Sequence, residues 1–362
     1  MSLIIFLIIL SALIIVHELG HFGVAKKFGI RVDEFGLGYP PKAKKLFSWK
    51  GTDFTLNWLP FGGFVKIFGE NPEVNLNLET RFPSDSFQSK NRGIQGAVLV
   101  AGVVCNFLFA WLLISLGFMT GLPAPAGLDL PLTDTRTVVT IVIPGSPAYA
   151  AGIKSGDTLL SLSRKEEIVQ VESPEVISEF ISRSSEPIDF EIKRGEDIST
   201  YTITPGAGIL ANRPAIGISM EVLGTVKLPV HKALWQGWRI TVDLTVVTAK
   251  AIGNLLKEAV MGKADLTAVT GPVGIVSMVG DMRELGLSYL VMFTALLSIN
   301  LAIINLMPFP ALDGGRLLFV IIETITRRPI PARFFNALNA LGFGLLIFLM
   351  VLITIQDVRN IL

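Results

Sequence analysis

The chain reads His17-Glu18-Leu19-Gly20-His21 at the end of an apolar run from Ile4 to Val16. On a helix, residues i and i+4 share a face, so His17 and His21 can both aim an imidazole at one metal ion. Glu18 lies beside them, where a metal-held water would give up its proton. Residue types at this spacing suit metal-assisted hydrolysis. The setting is unusual: two histidines and a glutamate are costly in hydrocarbon, and ionisable groups there point to function. The blander reading is a helix end whose histidines touch lipid headgroups. Two of the three histidines falling in one five-residue motif weighs against it.

A catalytic zinc takes three protein ligands and keeps a position open. The remaining histidine, His231, sits in a polar stretch and is a poor candidate. A carboxylate is the alternative. The run from Ser298 to Arg316 includes Asn300, Asn305, Pro308, Pro310 and Asp313, followed by Gly314 and Gly315. Pro308 and Pro310 force the backbone out of helix. Asp313 is then a carboxylate in an apolar neighbourhood, beside backbone that survives at membrane depth only when buried in protein or lining a cavity. It either binds the metal or caps the helix that begins at Gly314.

The elements that must position these residues are membrane spans. The chain has 362 residues, 51% of them hydrophobic, and its mean hydropathy is +0.58. That composition indicates a polytopic membrane protein. A net charge of +1 gives no field that would draw nucleic acid. The single cysteine, Cys105, lies in an apolar segment, so no intramolecular disulfide can form. Four segments are long and apolar enough to span: Leu3–Val24, Ile94–Leu116, Tyr289–Met307 and Phe335–Ile355. We expect spans over 1–25, 93–118, 287–310 and 335–356. A further segment, Ala233–Val260, carries Arg239, Asp243, Lys250, Lys257 and Glu258, and its apolar residues recur at helical spacing. It reads as an amphipathic helix within a 228–285 connector, lying on the membrane or against the bundle. The first segment lacks a basic leader region and a small-residue cleavage site, so it is expected to be retained.

Orientation follows from the basic residues. The 26–92 connection holds eleven Lys and Arg, and the connection between the last two spans holds Arg316, Arg327, Arg328 and Arg333. Both are expected to be cytoplasmic. Both termini and the 121–285 region then lie outside, and the metal motif sits near the cytoplasmic face. Within the first connection, residues 53–68 place two apolar, aromatic stretches around Pro60-Phe61-Gly62-Gly63, which predicts a β-hairpin turning there. The hairpin is expected to dip into the bilayer, where its edge could pair with an extended substrate. It could also lie folded on the membrane surface.

Residues 124–224 change character. Short β-rich runs, Thr137–Ile143, Thr158–Leu162, Ile188–Lys193 and Thr200–Ile203, alternate with turns, and Pro174–Arg183 predicts a helix. The stretch Pro144-Gly145-Ser146-Pro147-Ala148, running on to Gly156-Asp157, resembles the signature of bacterial PDZ domains. The resemblance implies an α+β domain that takes a peptide by strand addition or sieves ectodomains by size.

The paired motifs His-Glu-Leu-Gly-His and Asn-x-x-Pro-x-Pro-x-Leu-Asp-Gly resemble those of the site-2 protease family, the intramembrane zinc metalloproteases. Within it, the chain is most similar to the bacterial regulator-of-sigma-E type. Gly271-Pro272-Val273-Gly274-Ile275 also resembles the segment before the third span in that family. One departure is the room for a single PDZ domain where many members carry two in tandem. The resemblance implies one Zn2+ per chain on His17, His21 and Asp313, with Glu18 as catalytic base. It implies substrate handling by Asn300 and Asn305, beside Pro308 and Pro310. It also implies a multi-pass protein of the bacterial cytoplasmic (inner) membrane. Its substrates would be single-pass membrane proteins such as pre-trimmed anti-sigma factors, or leftover signal peptides. Without it, the two asparagines are polar groups in an apolar helix that hydrogen bonds between helices would satisfy equally well. Two other classes compete. An ion-coupled transporter or channel would need further charged residues in other spans and internal repeats, and neither is present in the sequence. An inactive PDZ receptor on a membrane anchor would have no need of Glu18 between two histidines.

Overall fold

A computed structural model describes residues 1–70, 83–126, 130–171, 173–183, 185–195, 197–210, 213–263 and 270–361. In chain order the elements are α1 (Ser2–Lys27), β1 (Val32–Trp49), β2 (Thr52–Ile67), α2 (Arg92–Thr120), β3 (Leu122–Pro125), β4 (Leu132–Val142), α3 (Pro147–Ala150), β5 (Thr158–Arg164), β6 (Glu167–Gln170), α4 (Pro174–Ser182), β7 (Ile188–Arg194), β8 (Asp197–Ile203), β9 (Gly206–Leu210), β10 (Arg213–Ala215), β11 (Ile218–Val226), α5 (Val230–Val260), α6 (Pro272–Leu285), α7 (Leu287–Leu306), α8 (Asp313–Thr326) and α9 (Ala332–Ile361). Two compact units result. One is Met1–Ser115 with Leu234–Asp281 and Val291–Leu362; the other is Leu116–Ala233 with Met282–Leu290.

The first unit holds the helices long and apolar enough to cross a membrane, namely α1, α2, α7 and α9 over Ala332–Arg359. Their apolar residues run all round, as lipid exposure demands. Leu341, Phe343 and Phe348 of α9 are open to the outside, as are Ile4 and Ile8 of α1. α5 is not among the spanning helices. It packs on α2, where Trp111 Nε1–H donates to the Leu234 carbonyl (2.9 Å) and Trp111 and Trp238 meet edge to face. The 264–269 part of the expected connector lies outside the described residues.

The hairpin differs from the expectation. β1 and β2 pair antiparallel, and the two-residue turn is Lys50-Gly51, closed by Trp49 opposite Thr52. The expected turn at Pro60–Gly63 is instead interior to β2. Lys50 and Gly51 both take positive φ (48° and 76°), the combination that suits the twist of a two-residue hairpin. Residues 34–37 of β1 are paired on both sides, with 63–66 of β2 and with 53–56. The 63–66 stretch therefore forms a border of this small sheet. Phe22, Val32, Phe35, Ile67, Val98 and Leu99 form one core that ties the sheet to α1 and α2. The 71–82 part of the 26–92 connection lies outside the described residues.

The second unit is built on an antiparallel sheet in the order β3-β11-β4-β5-β7-β8, with β6 on β5. Strand periodicity explains its core: Ile188, Phe190 and Ile192 of β7 point inward while Asp189 and Glu191 do not. Ile177, Phe180 and Ile181 of the amphipathic α4 cover that face. The Ser146 side chain accepts from the Tyr149 N–H and starts α3. Asp157, buried, accepts two bonds from Arg194 (2.6 and 2.7 Å) and one from the Lys154 N–H (2.8 Å), locking the turn after Gly156. The sheet reaches beyond the expected 124–224 at both ends, because β3 starts at Leu122 and β11 runs to Val226 and pairs with it.

Candidate metal centre

The first spanning helix places His17 and His21 one turn apart, both buried (6% and 7% exposed). α8 brings Asp313 to them from 296 residues further along. Asp313 Oδ2 stands 3.0 Å from His17 Nε2 and 3.2 Å from His21 Nε2, and the two ring nitrogens are 3.1 Å apart. Three donor atoms thus converge within 4.8 Å. Donors about 2.0–2.1 Å from a tetrahedral zinc stand roughly 3.3 Å from one another. This triangle fits that spacing, and two imidazole nitrogens with a carboxylate oxygen are a zinc donor set.

The surroundings orient the donor side chains. His21 Nδ1–H donates to the Val98 carbonyl of α2 (2.8 Å), which leaves the Nε2 lone pair facing the other two donors. Gly102, one turn beyond Val98, faces the rings directly: a Cβ there would collide with His21 Nε2 and with the His17 ring. A Cβ on Gly20 would likewise collide with the Ala101 carbonyl, so α1 and α2 approach through two glycines. Asn106, a further turn along α2, puts Nδ2 3.3 Å from His17 Nδ1.

Asp313 owes its position to a broken stretch of chain. α7 ends at Leu306, and Phe309 N–H donates to Met307 O and Leu312 N–H to Phe309 O. Ala311 sits at φ 76°, a left-handed conformation, and its N–H donates to Asn339 Oδ1 on α9 (3.0 Å). Cβ atoms on Gly314 and Gly315 would strike the carbonyls of Leu306, Met307 and Phe309. The Gly-Gly pair is therefore required for this close turn. Leu312 holds the cap position of α8 without a side-chain bond, so the capping alternative for Asp313 gives way to contact with the histidines.

Glu18 is half-buried beside the triangle, accepts from the Val65 N–H on the sheet border, and lies in the fields of His21, Asp313 and Glu70. Tyr39 of β1 shares this space: burial and then the Glu18 charge push its phenol up from the ordinary tyrosine value. Glu70 pairs with Arg316 of α8, and Arg92 of α2 pairs with Glu323 of α8 (2.6 Å). Both pairs line a cavity of about 360 Å³ with Gln95 and Leu99.

Comparison with known proteins gives the family. The model of peptidase family M50 matches residues 5–349. The chain belongs to peptidase family M50. A provisionally named zinc metalloprotease of Clostridium perfringens is 37% identical over 361 residues, which are 99% of this chain and 98% of the relative. Zinc metalloprotease RasP of Geobacillus kaustophilus is 28% identical over 435 aligned positions, covering 99% and 98% of the two chains. Regulator of sigma-W protease RasP of Bacillus subtilis is 28% identical over 437, covering 99% of each.

In this M50 peptidase, an integral membrane protein, the residues singled out from sequence fall unevenly. His17, Glu18, His21 and Asp313 come together. Asn305 Nδ2 reaches to 3.4 Å of His17 Nε2, whereas Asn300, earlier on α7, makes no hydrogen bond to the three donors. Pro308 and Pro310 shape the turn before Asp313, and Pro310 carries its carbonyl against Gly342 of the peptidase's last helix. Sequence reasoning passed over Gly102, Asn106, Tyr39 and Asn339. Asn106 and Asn339 left a signal, as amides in apolar spans.

Proposed function

We propose that this zinc metalloprotease is an intramembrane endopeptidase that cuts the spanning segments of single-pass membrane proteins. The observation that carries this reading is the donor triangle of His17, His21 and Asp313, built between a spanning helix and the turn that follows another. On this reading those three residues hold one Zn2+, which when bound supplies a Lewis acid for amide hydrolysis. Glu18 takes the proton from the attacking water and delivers it to the leaving amine.

An intact substrate helix hides its carbonyls in i to i−4 hydrogen bonds and must unwind locally before one can be attacked. The 63–66 border of β2, beside Glu18, offers a strand edge to the unwound substrate. Asn305 holds a substrate carbonyl near the metal, and Asn300, Pro308 and Pro310 line its path. The basic residues of the 26–92 and 308–333 connections support a cytoplasmic position for the site, and the hairpin dips into the bilayer from that side. The 122–226 unit then lies outside the cytoplasm. Its Ser146 cap and its Asp157–Arg194 lock support reading it as a single PDZ domain that screens ectodomains or binds a peptide end.

A Glu18→Gln variant of the full chain in detergent or liposomes tests this reading, with a spanning reporter substrate. It is expected to keep its zinc and lose cleavage by about a hundredfold or more, the usual contribution of a general base. Cleavage at the wild-type rate would overturn the assignment.

A further inference from the structure

Val98, Gly102 and Asn106 fall at successive four-residue steps on α2 and face the two histidines. The first supplies a carbonyl to His21 and the second supplies bare backbone. Asn106 is the third, wholly buried at 0% exposure. Its Nδ2 lies 3.3 Å from His17 Nδ1, and its Oδ1 is buried with no hydrogen-bond partner. Its backbone is held in place, because Ser298 Oγ–H of α7 donates to the Asn106 carbonyl (2.8 Å).

A neutral imidazole carries one proton. If His17 offers Nε2 to a metal, that proton sits on Nδ1, and Nδ1 becomes a donor in need of an acceptor. His21 meets this need with the Val98 carbonyl. The side chain in the same place for His17 is Asn106. An NH2 aimed at Nδ1–H would set two donors face to face, whereas Oδ1 accepts. The two ends of an amide exchange by a half-turn and are told apart only by their hydrogen bonds. Either orientation leaves one end without a partner among the described residues, so the imidazole tautomer makes the choice.

We propose that Asn106 is a positioning residue for the metal centre, presenting Oδ1 to the Nδ1–H of His17 in the zinc-loaded protein. It fixes the tautomer and direction of that ring as Val98 does for the other. The proposal rests on His17 being a zinc ligand.

The experiment is chelator competition for zinc on the detergent-purified full chain, with thermal unfolding in chelator to report the metal-free fold. Asn106→Leu removes the acceptor and is expected to bind zinc roughly 10- to 100-fold more weakly, the usual cost of losing such a partner. Asn106→Asp keeps an acceptor, has no donor, and is expected to bind at least as tightly as wild type. Wild-type affinity in Asn106→Leu would overturn the proposal. So would an Asn106→Asp protein that folds and loses zinc as severely as the leucine variant, since that is the behaviour of a site needing the NH2. Should one variant not fold, the other decides alone. Zinc missing from the wild-type protein would overturn the ligand reading of His17 and this proposal together; a failure confined to the Asn106 variants leaves that reading standing.

Discussion

Gly102 shows how little room the centre allows. The position has space for a hydrogen and no more, because any Cβ meets His21 Nε2, one of the three converging donor atoms. Gly102→Ala is therefore expected to reduce bound zinc at least about tenfold, with destabilisation of roughly 1–3 kcal/mol from overpacking between α1 and α2. Metal content and thermal unfolding in chelator separate the two effects, and a fully loaded alanine variant would contradict the geometry. At this scale the sequence was informative where chemistry leaves a residue signature. His17 and His21 share one helical face with Glu18 beside them, and Asp313 stands among prolines and glycines, so the sequence could single out all four as candidates. Gly102 was not, because a glycine in an apolar span has no marker that separates a ligand's neighbour from an ordinary packing contact. Val98 acts through its carbonyl, which every residue has.

At the scale of elements, the turn before α8 is held from outside itself. Ala311 in the left-handed region has an intrinsic cost of about 1–2 kcal/mol, offset here by its bond to Asn339 and by the packing of Gly342 on Pro310. Asn339→Ala frees the chain that carries Asp313. A displacement of that carboxylate by about 1 Å is expected to slow cleavage roughly a hundredfold, with Glu18 untouched. Single-turnover cleavage of a spanning reporter measures it, and an unchanged rate would show that the turn holds itself. The hairpin marks the limit of reading elements from sequence. Pro60-Phe61-Gly62-Gly63 has turn composition, yet Gly62 and Gly63 serve close approach, to Ile14 of α1 and to the Gly36 carbonyl. The real turn uses Lys50 at positive φ, a residue type that gives no warning of it. By contrast, α4 and β7 were legible because one buried face imposes a strict period on each.

Across the whole molecule, membership of family M50 and the four long apolar helices agree with what composition and the paired motifs imply. What sequence order alone could not supply is the meeting of its two ends: residues 17–21 and residue 313 are far apart in the chain and share one triangle of donors. The most direct test is zinc stoichiometry of the detergent-purified full chain and its Asp313→Ala variant, measured by elemental analysis after equal exposure to a mild chelator. One zinc per wild-type chain, with most of it lost from the folded variant, is the predicted result. A folded Asp313→Ala protein that keeps its full zinc would contradict the account.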